Sequence, residues 1–119
     1  MKILYIEDNP ANLALVNRVI QMSGDELTTY PDAESALKDN NITGYDLIIT
    51  DIHLGENVMD GLDFTAILRE NGIKAPIVAL TAYDFEEYER RSFEAGSDIY
   101  MVKPIAPQTL MDLLDQFRS

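Results

Sequence analysis

The sequence predicts an α/β domain: a five-stranded, doubly wound parallel sheet with helices on both faces. Three observations lead there. Short apolar runs, several of them β-branched, recur along the chain. Segments with helical spacing of their apolar residues separate these runs. No linker, low-complexity stretch or repeat interrupts the alternation, so residues 1–119 read as one domain. Strands that alternate with helices pair in parallel, and the helices cover both faces.

Residues 2–6 form the first compact strand candidate. Pro10 suits the first turn of a helix, with Asp8 or Asn9 as its cap. Leu13, Val16 and Ile20 share one stripe of that helix, and Ser23-Gly24 closes it. Leu15 and Val19 lie beside the stripe, either as part of a wide buried face or as a contact for a partner. Residues 27–30 are a weaker strand with modest apolar content. Asp32 can cap a short helix carrying Ala33, Ala36 and Leu37.

Residues 47–50 are a strong β-branched run that ends at Asp51. A loop over 52–60 leads to a helix from about Gly61 to Glu70, bearing Leu62, Ile67 and Leu68. Residues 77–80 form another continuous apolar strand, ending at Thr81. The next helix, roughly 85–95, is the most polar, with Phe93 expected in the core and Gly96 as its stop. Residues 99–102 form the last strand, followed by Lys103-Pro104. Leu110, Leu113, Leu114 and Phe117 then mark the core-facing stripe of a final helix, whose start at Ala106-Pro107 lacks a capping side chain.

Composition excludes several functions. The chain has no cysteine, hence no disulfide, thiolate metal site or cysteine nucleophile. A formal net charge of −12 argues against direct binding of nucleic acid or an anionic membrane surface. No apolar run approaches a membrane span, and Met1 leads straight into a strand and acids rather than a signal peptide. A cytoplasmic location is the expectation by elimination.

In doubly wound sheets, ligands bind beyond the carboxyl ends of the strands, where the strand order reverses. Glu7 and Asp8 follow the first run, Asp51 the third, Thr81 the fourth and Lys103 the fifth. Each alone is unremarkable loop chemistry. Together they place three carboxylates, a hydroxyl and an ammonium group at one sheet edge. Clustered carboxylates stay ionised when a hard cation neutralises them. Mg²⁺ suits such oxygen ligands. Asp51 can then serve as a nucleophile toward phosphorus, with Thr81 and Lys103 on the phosphoryl oxygens.

These residues, in this order and approximate spacing, resemble the receiver domains of two-component response regulators. Glu7-Asp8, Asp51, Thr81-Ala82 and Lys103-Pro104 carry the resemblance, supported by Met59-Asp60-Gly61 and by the approach to the last strand, Ala95-Gly96-Ser97-Asp98-Ile99-Tyr100. The resemblance implies the flavodoxin-like strand order 2-1-3-4-5. It makes Asp51 the phosphoacceptor and Asp8 a direct Mg²⁺ ligand, with Glu7 acting directly or through a water. The backbone carbonyl of His53 completes the protein ligands. Thr81 and Lys103 would bind phosphoryl oxygens, the Lys103-Pro104 bond would be cis, and Tyr100 would follow Thr81 as the switch aromatic. Ala82 and Tyr83 would stand at the site's rim. The phosphoryl donor would be a histidine kinase or a histidine phosphotransfer protein. The output partner is unspecified, and a phosphorylation-dependent dimer is one form the response could take.

The loop after Asp51 departs from the family pattern: it lacks the usual proline and is about two residues longer, with Glu56 as an added acid. His53, the single histidine, and Tyr83 are placed to limit water access to an acyl phosphate, although Tyr83 could equally be an ordinary exposed aromatic. Tyr88, Phe93 and Met101 are candidates for a surface that changes on phosphorylation. The main alternative function is a Mg²⁺-dependent aspartyl-phosphate phosphatase of the haloacid-dehalogenase kind. That class needs a second Asp two residues past the nucleophile, where this chain has His53, and a cap for which the chain has little room. A phosphate-independent interaction module would be favoured by loss of the acids or Asp51, and all are present.

Overall fold

The computed structural model describes residues 1–54 and 59–118. The elements run β1 (Lys2–Ile6), α1 (Pro10–Ser23), β2 (Glu26–Tyr30), α2 (Ala33–Leu37), β3 (Leu47–Asp51), α3 (Gly61–Glu70), β4 (Ile77–Thr81), α4 (Glu86–Ala95), β5 (Ile99–Val102) and α5 (Pro107–Arg118). The five strands are parallel and ordered β2-β1-β3-β4-β5, as expected. A short 3-10 helix, Ile42–Gly44, is an addition that the apolar pattern did not reveal.

Side chains alternate across the strands, and this divides the core. Ile3, Tyr5, Leu47, Ile49, Val78 and Leu80 face α1 and α5, where they meet Val16, Val19, Ile20, Leu110, Leu113 and Leu114. Leu4, Ile6, Ile48 and Ile77 face α2 and α3, against Ala33, Ala36, Phe64 and Leu68. The central strands β3 and β4 are buried along their whole length. β2 is the thin strand of the sequence because it lies at the sheet edge, with only part of each residue covered.

Local chemistry sets the element ends. Asn9, rather than Asp8, caps α1, its side chain accepting from the Ala11 and Asn12 N–H groups. That leaves Asp8 exposed at the sheet edge. Gly24 ends α1 at φ 83°, a left-handed conformation that glycine adopts without strain. Asp32 caps α2, and Asp60 with Asp63 forms a reciprocal capping box on α3. Arg69 ties several ends together. Its guanidinium donates to the carbonyls of Gly96, Ile73 and Ala75 and to the Asp98 carboxylate.

Three expectations need correction or limits. Phe93 is not in the core but 45% exposed. α4 turns Tyr88, Ser92 and Ala95 inward, at i, i+4 and i+7, and Phe93 falls one residue off that stripe. The expected helix 85–95 begins at Glu86, with Phe85 at a cap position where it makes no side-chain hydrogen bond. Val19 belongs to the core, while Leu15 and Met101 are half-buried. The length and conformation of the loop after Asp51, and Glu56 with it, fall largely on residues 55–58, outside the described residues.

Gly61 is where packing reaches the site. Its N–H donates to the Ile52 carbonyl at 2.8 Å, and a Cβ built on it would lie 2.0 Å from the Asp51 carbonyl oxygen. The first turn of α3 therefore sits directly on the end of β3, where only a hydrogen fits. Gly61→Ala should lower the unfolding free energy by roughly 1–3 kcal/mol, the usual cost of overpacking, read as a lower urea midpoint at unchanged slope. An unchanged midpoint would show that the backbone yields freely there.

Candidate functional site

The carboxyl ends of β1, β3 and β5 deliver the charged groups to one cleft. It is lined by Glu7, Asp8, Asn9, Asn12, Asp51, His53, Ala82, Tyr83, Lys103 and Pro104. Carboxylate oxygens of Glu7, Asp8 and Asp51 lie within 4.8 Å of one another. Lys103 Nζ donates to Asp51 Oδ2 at 2.6 Å and to Glu7 Oε2 at 2.9 Å. Strand pairing sets this convergence, because β1 and β5 flank the β3–β4 pair in the sheet. The Lys103-Pro104 peptide is cis, as the resemblance implied.

Burial makes the electrostatics strong. Glu7 is 1% exposed and Asp51 4%. Burial opposes the charge on Glu7, yet donation from Lys103, the Asn9 N–H and the Tyr5 hydroxyl outweighs it and holds Glu7 below the usual carboxylate range. Asp51 is pushed up to about 6, chiefly by burial and with help from the Glu7 charge, while Lys103 opposes the rise. Burial pulls Lys103 down, but its hydrogen bonds to Asp51 and Glu7 more than compensate and raise it. Lys103 is therefore a firm cation, Glu7 a firm anion, and Asp51 the carboxylate under strain. An oxygen-rich acidic cluster with one strained member fits a hard divalent cation.

The other expected residues surround this centre. Thr81 is fully buried at the end of β4, one position beyond Leu80, the register partner of Asp51. Its hydroxyl oxygen accepts from the Tyr83 N–H at 3.0 Å, which leaves its proton to donate elsewhere. The His53 N–H donates to Asp51 Oδ1 at 3.0 Å, and burial lowers the imidazole's pKa. Tyr100 is half-buried, and its hydroxyl donates to the Tyr83 carbonyl at 3.0 Å. Ala82 is exposed at the rim beside Tyr83, which is 52% exposed.

Two features escaped the sequence. The His53 ring meets Tyr83 and Tyr88 edge-on, each at 5.0 Å, and Tyr83 stacks on Phe85. The result is an aromatic wall along one side of the cleft. Tyr5 is the second: its hydroxyl donates to Glu7 Oε2 at 3.0 Å. The signal for Tyr5 was present, since residues two apart on a strand share a face. In a strand of Ile and Leu, however, a tyrosine reads simply as core.

A doubly wound sheet with an acid cluster and a lysine at its carboxyl edge defines a phosphoacceptor-type signalling fold, and the comparisons with known proteins name it. Residues 3–115 match the family model "Response regulator receiver domain". The chain belongs to that family, as a receiver domain of two-component signalling systems. It is 35% identical over 107 residues to the alkaline phosphatase synthesis transcriptional regulatory protein PhoP of Bacillus subtilis strain 168, covering 90% of this chain but 44% of PhoP. It thus spans less than half of that relative. The receiver domain of the sensor histidine kinase PA1611 of Pseudomonas aeruginosa PAO1, with a magnesium ion in its active-site cleft, superimposes with a TM-score of 0.85 at 31% identity, covering 99% of this chain and 98% of that one. The BeF₃-activated N-terminal receiver domain of Klebsiella pneumoniae RstA gives a TM-score of 0.87 at 27% identity, over the full length of both chains. Nothing in these matches supports the haloacid-dehalogenase alternative.

The raised Asp51 carboxyl has a consequence for stability. An unfolded Asp titrates near 4, so the folded chain binds this proton more tightly than the unfolded chain does. The stabilisation tied to the proton is complete below that value and is lost as pH rises through about 6. In chelator, the melting temperature of Asp51→Asn minus that of wild type should therefore grow between pH 5 and pH 7.5. A difference that shrinks over this range would mean that Asp51 is not the strained carboxylate.

Proposed function

We propose that this domain accepts a phosphoryl group on Asp51 from a phosphohistidine of a histidine kinase or histidine phosphotransfer protein, in a Mg²⁺-dependent reaction, and that the acyl phosphate changes its partner-binding face. The observation that carries this is the Lys103 ammonium held 2.6 Å from Asp51 within the acidic cluster. An Asp51 oxygen attacks phosphorus, and the new P–O bond forms as the P–N bond to the donor imidazole breaks.

Asp8, Asp51 and the His53 carbonyl would hold the metal, with Glu7 contributing directly or through a water. Bound there, Mg²⁺ would neutralise the carboxylates and the charge on the phosphoryl oxygens. Lys103 would move its donors from Asp51 to the phosphoryl group, and the Thr81 hydroxyl would supply another. Thr81 and Tyr100 are already linked through Tyr83, whose N–H and carbonyl bond one each. A movement of Thr81 toward the phosphoryl group would thus reach Tyr100, and through it α4 and β5, as a shift between two populated states.

The domain would act on its own phosphorylation state and not turn over external substrates. The acidic surface argues against direct contact with nucleic acid or a membrane, and no described helix is long and apolar enough to cross one. A cytoplasmic location would match kinase-borne donors. A phosphorylation-dependent dimer is one outcome of the switched face.

Incubation with a small phosphoramidate and Mg²⁺, followed by mass analysis, tests the proposal. Wild type should gain one phosphoryl group, Asp51→Asn none, and Lys103→Ala should gain it about 10²-fold more slowly. Equal labelling of Asp51→Asn would overturn it. Steady turnover of simple phosphate monoesters would instead revive the phosphatase alternative. The aromatic wall makes a separate prediction about water. Tyr83→Ala should lose its phosphoryl group several-fold faster than wild type, measured by mass after donor removal. An unchanged lifetime would leave Tyr83 as a surface aromatic only.

A further inference from the structure

Glu7 is 1% exposed, so the donors that the fold aims at its carboxylate matter. Its Oε1 accepts from the Asn9 N–H at 3.2 Å. Its Oε2 accepts both from Lys103 Nζ at 2.9 Å and from the Tyr5 hydroxyl at 3.0 Å. The two donors on Oε2 differ in kind. Lys103 is a point charge on a flexible stem and is shared with Asp51. Tyr5 is 1% exposed, and its ring belongs to the core beneath the site with Val16 and Leu80.

We infer that Tyr5 is a positioning residue of this site: its hydroxyl holds the Glu7 carboxylate in place for the divalent cation and keeps it partnered when Lys103 turns to the phosphoryl group. The inference deepens the proposed function and rests on it. A buried carboxylate that loses its one charged donor is costly to leave unpaired. Without Tyr5, Lys103 is the only side chain among the described residues that donates to Glu7 Oε2, and its release toward Asp51 is penalised. Glu7 also loses the fixed contact that sets its rotamer, as metal-site carboxylates do when an outer partner is removed. Phenylalanine would fill the same core volume, so packing alone does not require the hydroxyl. Burial and the Glu7 charge both raise the Tyr5 pKa, so the phenol stays protonated and remains a donor throughout the ordinary pH range.

Tyr5→Phe separates the hydroxyl from the ring. Mg²⁺ binding is titrated calorimetrically in wild type, Tyr5→Phe, Glu7→Gln and the double variant, and melting in chelator is recorded for each. The Mg²⁺ dissociation constant should rise about tenfold in Tyr5→Phe. In the Glu7→Gln background the second substitution should add nothing, because its action runs through the Glu7 carboxylate. A merely structural role would lower the melting temperature and leave the dissociation constant alone. A constant within twofold of wild type, or the same tenfold rise in the Glu7→Gln background, overturns the inference. Failure of the proposed function shows in the wild-type arms: no Mg²⁺ binding overturns both readings, whereas Mg²⁺ binding without phosphoryl gain overturns the phosphoacceptor alone.

Discussion

Buried carboxylates at the end of a sheet repel one another, and one ammonium group holds this set together. Lys103 Nζ, just past β5, bridges Glu7, just past β1, and Asp51, the last residue of β3. The bridge is short and largely out of water, so its attraction is less screened than that of a surface pair and offsets part of the cost of burying the carboxylates. Breaking it would leave two buried anions uncompensated, which a domain of ordinary marginal stability tolerates poorly. The sheet order and the tight seat of Gly61 on Asp51 both serve to deliver these groups to one place.

One ammonium group does not balance three acids, and the site is left short of positive charge. The charge shortfall falls on Asp51, whose carboxyl is raised to about 6. Glu7, held by Lys103, Asn9 and Tyr5, carries the settled negative charge. Such a site suits a divalent cation, and the proposed phosphoryl group would give Lys103 a further anion to follow.

The far side of the cleft is built from different material. Thr81, Tyr83 and Tyr100 form a hydrogen-bonded chain from the site to β5. Half-buried His53 and Tyr88 and the exposed rings of Tyr83 and Phe85 form an aromatic wall beside the start of α4. The start of α4 has no capping side chain, since Phe85 makes no such hydrogen bond, while Arg69 secures its end at Gly96. Acidic residues in its first turn, Glu86, Glu87 and Glu89, support it through the helix dipole instead. A helix fixed at one end and lightly held at the other, next to the proposed switch residues Thr81 and Tyr100, would be suited to report a change at Asp51.

The apolar runs, their spacing and the residues just after them were enough to place every strand and to bring the site residues Glu7, Asp8, Asp51, Thr81 and Lys103 to one edge, while the sheet order followed from the family resemblance. These features are legible because strand ends and helix caps depend on local chemistry, and because a parallel sheet leaves few ways to wind. What the sequence could not say concerned partners distant along the chain. Phe93 reads as core by hydrophobicity, yet its helical phase relative to Ser92 turns it outward. Tyr5 reads as core and is, but its hydroxyl ends on Glu7. The sharing of one ammonium between Glu7 and Asp51, and which of the two bears the strain, depends on burial and on distances of a few ångströms. Only tertiary packing sets those, because Coulomb and hydrogen-bond energies depend on separation and local dielectric, which residue order does not encode.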